Sequence, residues 1–124
     1  MRILALDYGR KYTGVAISDP EETVAFPRGI LLFEDHFYEK LGEIVKEESI
    51  GLIIVGWPLS LGGNETAQTK ETGEFIQELE KTLKIPVKKM DERWTSKQAE
   101  KLGGDHSTAA QIILQSYLDK NTPD

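Results

Sequence analysis

The chain contains no cysteine. That excludes disulfide frameworks, thiolate zinc sites and cysteine nucleophiles at once. It also lacks any apolar run near the roughly 20 residues a membrane-spanning helix requires, and its start has no signal-peptide pattern, so the expected compartment is the cytoplasm, with no membrane partner. Basic charge is in deficit: 15 Lys and Arg stand against 21 Asp and Glu, for a net charge of −6. A protein that holds nucleic acid mainly through a general positive field is thereby disfavoured. A site built on a divalent metal is not, because such a site needs carboxylates and the ion itself supplies positive charge. No Ser-His-Asp arrangement, phosphate-binding Walker loop or zinc signature is present.

What is present fits one soluble α/β domain spanning residues 1–124, with 39% hydrophobic and 29% charged residues and no linker or repeat. Three strand-like runs come first: Arg2 to Tyr8, Tyr12 to Ser18 and Thr23 to Phe33. Gly9-Arg10-Lys11 provides a hairpin turn between the first two, while Pro27 and Gly29 make the third an edge or bulged strand. From Phe37 the apolar period becomes helical, with Asp35 as the expected cap. Ile50 to Val55 is apolar without alternation, as in a strand covered on both faces. A glycine-containing loop, Gly56 to Asn64, leads to a helix from about Glu65 to Leu83, followed by a short strand from Ile85 to Met90. Thr95-x-x-Gln98 opens a short helix ending near Gly103-Gly104, and Ser107 is the expected cap of a last helix with Ala110, Ile113, Leu114 and Tyr117 on its face. A meander followed by helix-connected strands predicts a mixed sheet with helices on both faces.

Strand ends carry the chemistry. Asp7 closes the first strand and Asp91-Glu92-Arg93 follows the last one, so parallel first, fourth and fifth strands would deliver these acids and the Gly56–Asn64 loop to one end of the sheet. Asp105, just before the last helix, is a further acid for the same place, and His106 beside it a further ligand or base. Converging carboxylates repel unless a cation lies between them, and oxygen donors favour Mg²⁺ or Mn²⁺. A pair of such ions about 3.5–4 Å apart activates water and stabilises the leaving oxygen of a phosphodiester. Ser60, Gly62, Gly63 and Asn64 offer backbone amides at a helix start, a natural place for phosphate, and Arg10, Lys11, Arg93 and Lys97 add local positive charge. Trp57 and Trp94 flank these segments and read mainly as core covers; Tyr12 and Tyr117 read as packing.

The motifs LALDYGRKYTGVAISD, IIVGWPLSLGGNET, DERWTS and HSTAAQIILQSYLD, in this order over nearly the whole chain, resemble the YqgF/RuvX family, the RuvC-like branch of the ribonuclease H fold. The resemblance implies a five-stranded mixed sheet with its first three strands antiparallel. It also implies a metal-dependent endonuclease acting on structured nucleic acid, with two substrates in view: the 5′ end of pre-16S rRNA in ribosome biogenesis, or branched DNA at a Holliday junction. The family's first-strand aspartate corresponds to Asp7, its Asp-Glu-Arg motif to Asp91, Glu92 and Arg93, and its loop after the fourth strand to Gly56, Pro58, Leu59 and Gly62-Gly63. One position departs. Three residues before the paired small residues Ala109-Ala110, where the family usually has aspartate, this chain has His106, with Asp105 one residue earlier. Either Asp105 or His106 then supplies the last contact. A non-catalytic module that binds nucleic acid or a ribosome or transcription factor on the same fold is the alternative. An actin-like nucleotide grip ranks last, because one domain of this length lacks a second lobe. Monomer and homodimer are both compatible with the sequence, a two-fold dimer suiting symmetric cutting of two strands.

Overall fold

A computed structural model describes residues 1–60, 62–91 and 104–121. Its strands are β1 (Arg2–Asp7), β2 (Tyr12–Ser18), β3 (Ala25–Leu32), β4 (Ile50–Trp57) and β5 (Val87–Asp91); its helices are α1 (Phe37–Glu47), α2 (Ala67–Leu83) and α3 (His106–Asn121). They form one five-stranded sheet in the order β3-β2-β1-β4-β5. β1 pairs antiparallel with β2, and β2 with β3, whereas β4 runs parallel to both β1 and β5. The mixed sheet expected from the sequence is therefore the one found.

Side-chain alternation along β1 divides the core in two. Leu4 and Leu6 face α1 and α2, where they join Val15, Phe37, Leu41, Ile53, Val55, Phe75 and Leu79. Ile3 and Ala5 face α3 and pack with Leu52, Ile54, Ala110, Ile113 and Leu114. β1 and β4 are apolar at successive positions because both of their faces are covered. Beyond the end of β1, Tyr8 stacks on Phe75 of α2 at 4.3 Å between centroids and meets Phe33 edge-on at 5.3 Å. That aromatic cluster anchors the strand's exit on the α1/α2 side.

Several boundaries differ from expectation for local reasons. β3 starts at Ala25 rather than Thr23, because Asp19 Oδ1 accepts hydrogen bonds from the Thr23 and Val24 amides and closes the preceding residues into a loop. Its ladder with β2 slips between Val15 and Ala16, so that Arg28 is passed over beside Gly29, whose φ is +126°; the bulge expected of Pro27 and Gly29 is there. α1 is preceded by His36, not Asp35, with no side-chain cap. α2 begins behind Thr66, which exchanges capping contacts with Thr69. β5 occupies Val87–Asp91 rather than 85–90: its ladder with β4 begins with Val87 opposite Ile53, and Pro86 before it has no N–H to donate. On α3, Leu118 is buried and Tyr117 only half-buried. The short helix expected at residues 95–103 lies outside the described residues. No helix among the described residues is long and apolar enough to cross a membrane.

Candidate active site at the end of the first strand

β1, β4 and β5 all point their carboxyl ends the same way, which brings Asp7, the loop after Trp57 and Asp91 to one end of the sheet, the place where open α/β sheets hold ligands. Asp7 continues the alternation of Ile3 and Ala5 and so faces α3. Its side chain is only 10% exposed, and its Oδ2 lies 3.1 Å from Nδ1 of His106, the first residue of α3. Removing a carboxylate from water costs several kcal/mol unless something compensates its charge. A largely buried carboxylate with an imidazole nitrogen turned to it, the imidazole half-exposed toward solvent, is a donor pair suited to a divalent cation.

The close approach of α3 depends on a residue that the sequence reading passed over. Asp7 is opposite Gly14 in the β1–β2 ladder, and a Cβ on Gly14 would lie 1.9 Å from the His106 carbonyl oxygen and 2.8 Å from the Ser107 nitrogen. Only glycine lets the helix start rest on the strand at that point. The signal was legible: a glycine inside a β-branched strand marks a close approach of backbone.

Asp105 has a different task. Its Oδ1 accepts from the Ser107 amide, the Ser107 hydroxyl and the Thr108 amide. Asp105 thus caps α3, and Ser107, expected in that role, sits buried in the first turn. The Ser107 hydroxyl bond, followed by the backbone bonds, holds the Asp105 carboxyl below the usual range. Between the two ligands left open by the sequence, the structure puts His106 against Asp7 and uses Asp105 to fix the turn that places it.

Asp91 shares an end of the sheet with Asp7 but not a face. It is in register with Trp57, which packs on the α1/α2 side, whereas Asp7 looks toward α3. Each step along a strand reverses the face, so two acids at one sheet end converge only if their parity agrees. Glu92, Arg93 and Lys97, with Trp94, lie outside the described residues.

In the loop after β4, three of the four amides expected to be free are engaged within the loop itself. The Ser60 amide donates to the Asn64 carbonyl, the Gly63 amide to the Ser60 carbonyl, and the Asn64 amide to the Ser60 hydroxyl. Gly63 supports this turn with a φ of +85°, and the Thr69 hydroxyl, donating to the Pro58 carbonyl, ties it to α2. Gly62 lies in the same turn; Ser60, Gly63 and Asn64 shape the rim instead of presenting a phosphate cradle. On the other side, Arg10 makes a two-pronged pair with Glu71 of α2, with N–O distances of 3.0 and 2.5 Å. This pair closes one wall of a cavity of about 330 Å³ lined also by Tyr8, Gly9 and Gln68. Lys11 is exposed beside it. Trp57 covers core as expected and carries the Lys89 ammonium 4.0 Å above its ring. Tyr12, expected to pack, is instead exposed, its ring within 26° of parallel to His106.

The sequence profile of the RuvX family, described as Holliday junction resolvase, matches residues 1–120. A protein of Dictyoglomus turgidum carrying the name "Putative pre-16S rRNA nuclease" is 37% identical over 135 residues, covering 96% of this chain and 94% of its own. One of the same name from Dictyoglomus thermophilum is 38% identical over 140 residues, covering 100% and 99%. Among solved structures, Thermus thermophilus RuvC in complex with a Holliday junction substrate superposes with a TM-score of 0.62 at 10% identity, over 97% of this chain and 95% of that one. Fowlpox virus resolvase with its substrate junction DNA gives 0.63 at 12%, over 99% and 100%. At such identities these two establish the fold.

Proposed function

This chain belongs to the RuvX family, and from that membership we propose that it is a metal-dependent endonuclease hydrolysing phosphodiester bonds in structured RNA, its substrate being the 5′ end of pre-16S rRNA. The observation that carries the chemistry is the largely buried Asp7 carboxylate facing the His106 imidazole at the carboxyl end of β1. The choice of RNA rests on relatives that share more than a third of this sequence over its full length and bear that name. Branched DNA is the second reading, supported by the family's own description.

In this proposal Asp7 and His106 hold the ion together with Glu92. Asp91 is set aside because it lies on the other face of the sheet, and Asp105 because it caps α3. Mg²⁺ or Mn²⁺ bound there would lower the pKa of a coordinated water and offset charge on the leaving oxygen. Asp7 contributes the charge that attracts the ion, and its burial keeps bulk water from competing. His106, held by the Asp105 cap, fixes the direction of approach. Lys11, Arg93 and Lys97 serve the phosphate backbone, while Arg10 serves it only when released from Glu71. The compartment we assign is the cytoplasm.

The test offers precursor rRNA, junction DNA and plain duplex side by side with Mn²⁺. Cleavage of the precursor that vanishes in Asp7→Asn, with an unchanged circular dichroism spectrum, is the expected result. Undiminished cleavage by Asp7→Asn would remove the mechanism, and exclusive cutting of the junction would replace RNA with DNA.

A further inference from the structure

Beside the Asp7–His106 pair the sheet carries an exposed apolar surface that no core accounts for. Tyr12, Ile30 and Leu32 are 45%, 41% and 48% exposed. Tyr12 is opposite Leu32 in the β2–β3 ladder and Gly14 is opposite Ile30, so all three side chains share the face on which His106 rests against Gly14. The Tyr12 and His106 rings are near-parallel, 26° apart, with centroids 6.4 Å from each other. Arg28, thrown out of the ladder by the neighbouring bulge, is exposed on the same edge strand as Ile30 and Leu32. An exposed aromatic and aliphatic surface next to a buried carboxylate, with a cation on its edge strand, matches a nucleotide: a base for the rings, a phosphate for the charge. A second copy of this chain suits it less. Antiparallel pairing of two β3 edges about their middle would bring Arg28 near its own copy, and Pro27 has no N–H to give.

We propose that Tyr12, with Ile30 and Leu32 beside it, is a platform for a nucleobase that has left its helical stack, adjoining the bond to be cut. The inference rests on the nuclease reading and narrows its substrate. A base inside a continuous duplex has both of its faces covered by neighbours and offers only its edges. The platform therefore selects nucleic acid with an unpaired nucleotide next to the scissile bond, such as a single-stranded extension or the opened centre of a branch, over uninterrupted duplex. Tyr12 is a specificity-determining residue here; its hydroxyl takes no part.

The test measures binding without cleavage. Wild type, Tyr12→Phe and Tyr12→Ala are titrated in chelator against single-stranded RNA and a fully paired duplex, each carrying 2-aminopurine, reading anisotropy together with quenching of the base. Wild type and Tyr12→Phe should bind the single strand more tightly than the duplex and quench it. Tyr12→Ala should lose on the order of tenfold in affinity and most of the quenching on the single strand alone. Equal losses on both probes, no loss on either, or failure of Tyr12→Phe would overturn the platform. So would concentration-dependent dimerisation in sedimentation that Ile30→Glu abolishes. Metal-dependent cleavage of the same strand by wild type, measured separately, separates the two claims: cleavage with an idle Tyr12 leaves the nuclease standing, whereas neither binding nor cleavage of any probe ends both.

Discussion

His106 Nδ1 faces Asp7 Oδ2 across 3.1 Å, joining residues 99 positions apart in the chain where the first turn of α3 meets the end of β1. Nothing else among the described residues links the two ends of the fold so directly at the proposed catalytic point. If both side chains are donors to one ion, His106→Ala should weaken Mn²⁺ binding by at least the ten- to hundredfold typical of losing a supporting group. His106→Asp, which restores an oxygen donor at the same place, should recover most of it and move the preference toward Mg²⁺. Titration calorimetry of the three proteins decides this without any nucleic acid. Identical isotherms for all three would show that His106 has no share in the metal.

Two glycines should respond to alanine with opposite signs. In Gly14→Ala the new methyl would meet backbone atoms of His106 and Ser107 at 1.9–2.8 Å, and backbone cannot swing aside, so α3 must lift from the sheet. A loss of about 1–3 kcal/mol is expected for such overpacking, and activity should fall further than stability because the Asp7–His106 contact opens. In Gly73→Ala, inside α2, the nearest atom is Trp57 Cη2 at 3.5 Å, an ordinary contact. A gain of about 0.5–1 kcal/mol follows from helix propensity. Urea titrations measure both.

The sequence revealed the sheet readily, because each strand's cover is written in its pattern: unbroken apolar runs in β1 and β4, and Pro27 with Gly29 at the edge. The acids were legible as a set at strand ends, yet their faces were not. Whether Asp91 joins Asp7 depends on the register of β5 against Trp57, a one-residue matter that composition cannot fix. Likewise Asp105 and Ser107 are both good caps, and only the distances to the Ser107 and Thr108 amides show which one caps. The loop glycines suggested open amides; Ser60 and Asn64 closed the turn on itself through bonds that spacing alone does not reveal.

Arg10, in the turn that follows Asp7, is held by Glu71, and the Arg10 hydrogen bond and charge keep the Glu71 carboxyl below its ordinary range. Both groups are solvent-screened, so the pair adds little to stability. Its effect should appear in binding. Glu71→Gln leaves Arg10 free to meet a phosphate, so affinity for nucleic acid should rise and its fall with salt should steepen by about one counterion. Arg10→Ala in that background should cancel the gain. Salt titrations of affinity for the four proteins of this cycle measure the coupling, while melting temperatures should stay nearly equal.

The loop before β3 gives a stability change with a definite sign. Asp19 accepts from the Thr23 hydroxyl and from the Thr23 and Val24 amides; led by the Thr23 hydroxyl bond, these lower its carboxyl from 3.8 to about 2. A carboxyl depressed on folding favours the folded state above its unfolded value, and that contribution disappears as pH falls toward the folded one. Wild type and Asp19→Ala should therefore differ in melting temperature by a constant amount above pH 3.8, and their curves should converge between there and about pH 2. Asp105 acts in the same sense at the head of α3, its carboxyl also held below the ordinary range by Ser107. Acid should thus loosen both ends of the α3–β3 contact, where Gln115 bonds to Thr23 and Ala25. Amide exchange on that seam should rise before the β1–β4 amides respond, and a uniform rise across the sheet would refute the local account.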